Sequence, residues 1–180
     1  MILKSERLIL RPWEEQDAPE LYKYAKDPRV GPVAGWPVHE SVENSREIIK
    51  AVLSAPETYA VVLKETMLPV GSAGIILEDR VGMKLTEREA EIGYWIGVPY
   101  WGQGLIPEAV KALLCRCFTD LDRTGVWCGY YDDNIKSKRV QEKSGFIYHH
   151  TVENYECELM NEFRTCHFSY ITKEQWIKAV

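Results

Sequence analysis

Apolar residues alternate with polar ones over short stretches of the chain and recur every three to four residues in others, so strands and helices are interleaved throughout. "RLILR" at residues 7–11 is an apolar run of strand length. In "DAPE", Asp17 with Glu20 three residues on predicts a capped helix reaching about Lys26, with Leu21, Tyr24 and Ala25 on its apolar side. "DPRVGPVAGWPVH", residues 27–39, is broken by Gly and Pro and predicts a loop. Ser41 then caps a second helix through Leu53, whose Val42, Ile48, Ile49 and Val52 are only roughly periodic.

Beyond Pro56 the pattern shifts to strands. "TYAVVLKE" and "VGSAGIILED" are β-branched and aromatic, separated by "TMLP", and predict an antiparallel hairpin. "EAEIGYWIGV" is a third long strand, and "YWGQGLIPEAVKALL" runs from a glycine turn into a helix over 105–120. In that helix Ala109, Leu113 and Cys117 form one row and Val110, Leu114 and Phe118 its neighbour, a face that packs on a sheet. The strand "GVWCGYY", the helix "IKSKRVQEKS", the strands "GFIYHHTV" and "RTCHFSYIT" and a short terminal helix follow. The fold class is α/β (α+β), with a mixed, mostly antiparallel central sheet flanked by helices. A chain of 180 residues that is 46% hydrophobic fills one core, so residues 1–180 read as one domain.

The longest uncharged stretch, residues 92–107, is broken by Gly and Pro and is shorter than the roughly 20 apolar residues of a membrane span. Lys4, Glu6 and Arg7 stand where a secretory leader needs its apolar run, so a soluble, cytoplasmic protein is expected. A net charge of −5 argues against broad binding to nucleic acid or an anionic membrane and suits a cationic partner better. Five cysteines without paired spacing read as free thiols. They form no zinc pattern with His39, His149, His150 and His167, so no metal is expected.

The glycine turn carries the first candidate chemistry. Pro107 suits a first helical turn and Glu108 its positive end, so the amides of residues 102–106 point outward together at a helix N-terminus, an arrangement that attracts anions. Gln103 and Gly104 stand where a P-loop needs Lys and Ser or Thr, so that reading fails. "GQGLIP" matches a dinucleotide fingerprint only in part, with Pro107 at the third glycine. A turn that needs glycine for steric reasons alone remains open.

Three segments narrow this: "SERLILRPWEEQDAPELYKYAKDP", "EIGYWIGVPYWGQGLIPEAV" and, from Asn134, "NIKSKRVQEKSGF". In this order they resemble the GNAT superfamily of acetyl-CoA-dependent N-acetyltransferases, and within it the Rim-type branch acting on ribosomal-protein N-termini. The resemblance implies a sheet that splays between the strands ending near Val98 and Tyr131, admitting coenzyme A. It implies that the pantetheine arm pairs with backbone at Ile96, Gly97 and Val98, and that the pyrophosphate sits on Gly102, Gln103, Gly104, Leu105 and Ile106. Trp101 and Ile106 depart from the family's Gln or Arg and its Gly or Ala, so Ile106 must point away from the phosphates.

Acetyl transfer to an amine needs a base, an aligned carbonyl, a stabilised oxyanion and a leaving thiolate. The resemblance assigns the base to Glu91, which alternation puts on one face with Glu89 and Gly93; a solvated strand-end carboxylate is the alternative. The oxyanion falls to a backbone N–H near Val98. Asn134 resembles the family residue that binds the pantetheine arm and also suits a helix cap. Lys136, with Lys138 and Arg139, supplies positive charge near the cofactor's phosphates, or merely a solvated helix face. Many relatives carry a thiolate-protonating tyrosine at the place of Gln141, whereas the Rim-type branch has a serine, matched by Ser137. An anchoring role for Ser137 is the alternative.

The implied function is acetyl transfer from acetyl-CoA to a primary amine, on a small molecule or a protein N-terminus, by direct attack in a ternary complex. The competing class is a GNAT-fold acyl-CoA sensor that transfers nothing. "GPVAGWPVH" and "TVENYECELMNEF" are left to line the acceptor side, where Trp36 and Tyr155 either pack substrate or cover the core. A homodimer is compatible with all of this.

Overall fold

The computed structural model describes residues 1–77 and 85–179. Eight strands form one sheet: β1 (Leu3–Lys4), β2 (Leu8–Arg11), β3 (Thr58–Leu63), β4 (Pro69–Ile76), β5 (Glu89–Ile96), β6 (Gly125–Tyr131), β7 (Ile147–Cys157) and β8 (Glu162–Thr172). Their order is β1-β2-β3-β4-β5-β6-β8-β7. Neighbours run antiparallel except β5 and β6, which are parallel. The helices are α1 (Ala18–Ala25), α2 (Gly31–Ala34), α3 (Val42–Ile48), α4 (Leu105–Cys115), α5 (Ile135–Lys143) and α6 (Lys173–Ala179). α3 and α4 each end in a wider π turn, through Leu53 and Asp120.

Both apolar rows of α4 are buried against one face of the sheet, where Leu8, Leu10, Tyr59, Val61, Ile75, Ile92 and Val126 meet them. Each such side chain contributes roughly 1.5–3 kcal/mol by leaving water, which fixes α4, and the turn before it, on the sheet. The other face is covered by Trp13, Ala18, Leu21, Ala25 and Ile49 against Ala60 and Val62.

Three details differ from the sequence reading, and one expectation is untested. Asp17 opens α1 without a side-chain cap, because its carboxylate takes the Arg11 guanidinium at 2.6 and 2.8 Å and the Glu14 amide at 3.0 Å. Residues 27–39 are not all loop. Gly31–Ala34 make a single turn, α2, closed by Gly35 at φ 89°, and the Trp36 indole folds so closely onto Gly31 that a Cβ there would come within 2.6 Å of its ring. β7 is longer than "GFIYHHTV" suggested. It absorbs "TVENYEC" through bulges, because it stays paired to β8 as far as Cys157. Finally, the end of "VGSAGIILED", Glu78 and Asp79, lies outside the described residues.

Candidate active site

β5 and β6 share only the rungs Glu89–Gly125, Ala90–Val126 and Glu91–Trp127. Beyond them β5 stays with β4 as far as Ile96, while β6 stays with β8 as far as Tyr131. The sheet therefore parts above Glu91, where the splay was expected. A cavity of about 640 Å³ opens there, walled by Tyr94, Trp95 and Ile96 of β5, the turn before α4, one side of α5 and the loop around α2.

The floor at one end is the glycine turn. Gly102 and Gly104 both have φ 75°, a left-handed conformation that side chains resist, and a Cβ at Gly102 would meet nothing within 4 Å. Gly104 opens α4, so the amides of Leu105 and Ile106 have no acceptor within the helix, and Pro107 brings no amide at all. Leu105 and Ile106 are buried in the core cluster and also line the cavity. The turn is braced from behind. Glu108 accepts the Arg7 amide, the Arg7 Nε–H and the Ser5 hydroxyl, each at 2.7 Å, and Arg7 Nη1 donates to the Gln103 carbonyl at 3.0 Å. The Gln103 amide side chain turns back to the Pro99 carbonyl at 2.9 Å. Arg7 was not marked by sequence reading, since nothing local distinguishes it from any basic residue at a strand end.

Positive charge comes mainly from one row of α5, with Arg29, paired to Asp27, also in the lining. Lys136, Arg139 and Lys143 line the cavity at helical spacing, whereas Lys138 faces the far side of the helix. Lys143 was missed, although its spacing from Lys136 and Arg139 is legible in the sequence. Lys136 Nζ stands 4.1 Å from the centre of the Trp101 ring, a cation–π contact joining α5 to the turn across the cavity. Outward amides, open space beside Gly102 and three cationic side chains fit a pyrophosphate and an additional phosphate.

Along β5 the backbone is partly engaged. Gly97 N–H donates to the Val70 carbonyl at 2.9 Å, and the Ile96 carbonyl accepts the Trp101 indole N–H at 3.0 Å. Gly97 has its own packing reason, because a Cβ there would come 2.5 Å from the Tyr24 ring. Val98 begins the one-turn helix that leads to the glycine turn. Asn134 caps α5, its Oδ1 accepting the Ser137 amide at 3.1 Å, while its Nδ2 donates to the Val33 carbonyl at 3.4 Å.

Ser137 is 8% exposed and lines the cavity. Its hydroxyl lies 2.9 Å from the Tyr94 phenol and 3.4 Å from Gln141 Nε2. Gln141 is fully buried, and its Nε2 also donates to the Gly129 carbonyl at 3.2 Å. Tyr94 was overlooked, although alternation puts it with Ile92 and Ile96. Burial holds its phenol well above the usual tyrosine range.

Glu91 stands on the last shared rung, half-buried, on the face carrying Trp127 and outside the described cavity lining. Burial pushes the Cys166 thiol up to about 12, and the Glu91 charge adds to the effect. Glu89, one residue pair below, accepts the Thr86 amide at 3.1 Å. Trp36 packs edge-on against Trp95, covering the second core cluster. Tyr155 lies on β7 against Phe168 and Tyr131, so the segment left for an acceptor loop is a strand with an aromatic face. All five cysteines are free thiols.

The family model described as "Acetyltransferase (GNAT) domain" matches residues 7–147. The uncharacterized N-acetyltransferase p20 of Bacillus licheniformis is 29% identical over 159 residues, covering 86% of each chain. The ribosomal-protein-serine acetyltransferase of Escherichia coli is 31% identical over 119 residues, 62% of each chain, in keeping with the Rim-type likeness. The crystal structure of a GNAT-family acetyltransferase from Bacillus anthracis superposes with a TM-score of 0.83 at 24% identity, over 97% of this chain and 99% of that one. The splayed sheet, the braced glycine turn and these likenesses agree: the chain belongs to the GNAT acetyltransferases, acyltransferases that use acetyl-CoA.

Proposed function

We propose that this protein moves the acetyl group of acetyl-CoA to a primary amine by direct attack while both substrates are bound. The observation that carries the reading is the parting of β5 from β6 above Glu91, with the glycine turn at one end of the cavity and the Ser137 hydroxyl in its wall. Acetyl-CoA supplies the activated acyl group, and the chain's residues bind, orient and manage protons. The amides at Gly102, Gln103, Gly104, Leu105 and Ile106, with Lys136, Arg139 and Lys143, hold the phosphates. Asn134 and the backbone at Ile96, Gly97 and Val98 guide the arm. The Ile96 carbonyl already accepts the Trp101 indole N–H on one lone pair, and the other remains for the arm.

Glu91 takes the amine's proton, directly or through water, from the face it shares with Trp127. Ser137 stabilises the departing sulfur. The acceptor is a protein N-terminus or a small-molecule amine, and the aromatic residues of β6, β7 and β8 on Glu91's side of the sheet suit a cationic group. Five free cysteines fit a reducing compartment such as the cytoplasm.

The test is free-thiol release from acetyl-CoA with a panel of peptides of varied N-terminus, polyamines, aminoglycosides and amino acids. Release well above blank with one acceptor class supports the reading. Tight coenzyme A binding with no release on any amine would sink it and favour an acyl-CoA sensor.

A further inference from the structure

Four polar groups are linked at the cavity wall: Tyr94 and Ser137 in its lining, with Cys128 and Gln141 buried behind them. Cys128 on β6 is fully buried and its thiol lies 3.9 Å from the Tyr94 hydroxyl, donating to it. The Tyr94 hydroxyl donates to the Ser137 carbonyl at 3.2 Å and lies 2.9 Å from Ser137 Oγ, so its single proton faces both oxygens of Ser137. Gln141 Nε2, which can only donate, reaches Ser137 Oγ at 3.4 Å. The orientation of that amide is set by the Gly129 carbonyl, since turning it over would put oxygen against oxygen; Gln141 Oε1 is left buried without a partner.

We propose that Tyr94 is the positioning residue of the site: it donates to Ser137 Oγ and so turns the Ser137 proton toward the cavity. This deepens, and rests on, the reading of the cavity as the acetyl-transfer site. Donor counting is the reason. A serine hydroxyl has two acceptor sites and one proton. With Tyr94 and Gln141 both donating to Ser137 Oγ, its acceptor sites are filled and its proton has to seek a partner in the cavity. The Cys128 thiol behind Tyr94 fits that direction, because its S–H occupies an acceptor site of the phenol oxygen and leaves the phenol proton for the Ser137 oxygens. Burial keeps both the thiol and the phenol protonated, so neither group reverses the chain. No bond is made or broken in the chain. Ser137 keeps its proton and hydrogen-bonds the sulfur as negative charge grows there, and the sulfur takes its own proton from solvent. A phenolic hydroxyl is thus present at this spot on β5, while α5 carries Gln141.

The test uses coenzyme A and desulfo-coenzyme A as probes, so it needs no acceptor. Affinity for each is measured by calorimetry between neutral and alkaline pH, and the bound thiolate is followed by its ultraviolet absorbance. The native protein is expected to prefer coenzyme A by about tenfold once the thiol ionises, the equivalent of about 1.4 kcal/mol. Tyr94→Phe is expected to lose most of that preference while desulfo-coenzyme A binds within about threefold of native. Ser137→Ala loses it as well, and adding Tyr94→Phe to Ser137→Ala changes nothing further. If Ser137 instead donates to Tyr94 in the native protein, Tyr94→Phe frees its proton and the preference stays or grows, which overturns the proposal. Loss of desulfo-coenzyme A binding in Tyr94→Phe assigns the tyrosine to the framework and overturns it too. Equal native binding of both probes leaves the cavity as the cofactor site and rejects the positioning role. Native binding of neither rejects the acetyl-transfer reading itself.

Discussion

Glu91 sits on the last rung that β5 and β6 share, so its side chain emerges where the two strands begin to part. In the proposed reaction it meets an amine coming from the Trp127 face while the cofactor arm occupies the gap. Glu91→Gln keeps the shape and removes the basicity. It is expected to lower kcat by about 10²- to 10⁴-fold with coenzyme A affinity unchanged, measured by steady-state kinetics beside calorimetry. A fall in kcat of less than about threefold across the pH range would hand the proton to water or another group. The glycine turn is legible in the sequence, because glycine and proline spacing is itself the signal. Tyr94 is not. A tyrosine in an apolar strand looks like any core aromatic, and its meaning comes from Ser137 and Gln141, more than forty positions further along the chain.

The turn and α4 act as one element. Gly104 opens the helix at φ 75°, and the helix is fixed by two buried rows on one side and the Glu108–Arg7–Ser5 brace on the other. Gly104→Val places a β-branched residue in a left-handed conformation it strongly resists, so the turn must shift. Coenzyme A affinity is expected to fall at least about tenfold in calorimetry, close to 1.4 kcal/mol, with the sheet still folded by circular dichroism. Unchanged affinity would make the turn merely structural. The far end of α4 is pinned differently: Arg116 and Glu57, each with 13% side-chain exposure, pair at 2.8 Å. The Arg116 hydrogen bonds hold the Glu57 carboxyl below its ordinary 4.5. Its folded value is the lower one, so this stabilisation is present above about pH 4.5 and is lost as pH falls through the folded value. Glu57→Gln is expected to cost about 1–3 kcal/mol at neutral pH and progressively less in acid, read as thermal unfolding against pH. A constant difference at every pH would remove the ion pair from the account.

At the scale of the whole molecule, periodicity and β-branched runs located the strands and the long helices, and the fold class followed from their interleaving. What periodicity cannot show is pairing. The order β6-β8-β7 and the extension of β7 to Cys157 depend on contacts between distant segments, and the bulges that let β7 follow β8 leave no local signature. The single turn α2 escaped for another reason, since Gly31, Pro32 and Gly35 read as breakers until Trp36 closes over them.

The same long-range pairing divides the sheet into two blocks, β1 to β5 and β6 to β8, joined along three rungs and by the helices that lie across them. A ligand seated in the gap touches β5 and the glycine turn on one side and α5, carried by β6, on the other. It therefore adds a connection where the sheet has none. Coenzyme A at about 100 times its dissociation constant is expected to stabilise the fold by about 2.7 kcal/mol, which raises Tm by about 5–10 °C for a chain of this length. The distribution of the effect is the sharper measurement. Hydrogen exchange should slow at residues 92–96 and 128–131, on the two strand ends that face each other across the gap, and at residues 102–106. The backbone of β1 to β3 should change little, because the ligand touches nothing there. Slowing spread evenly over the sheet would mean that coenzyme A stabilises by mass action without bridging the blocks. Slowing confined to α5 would place it outside the gap.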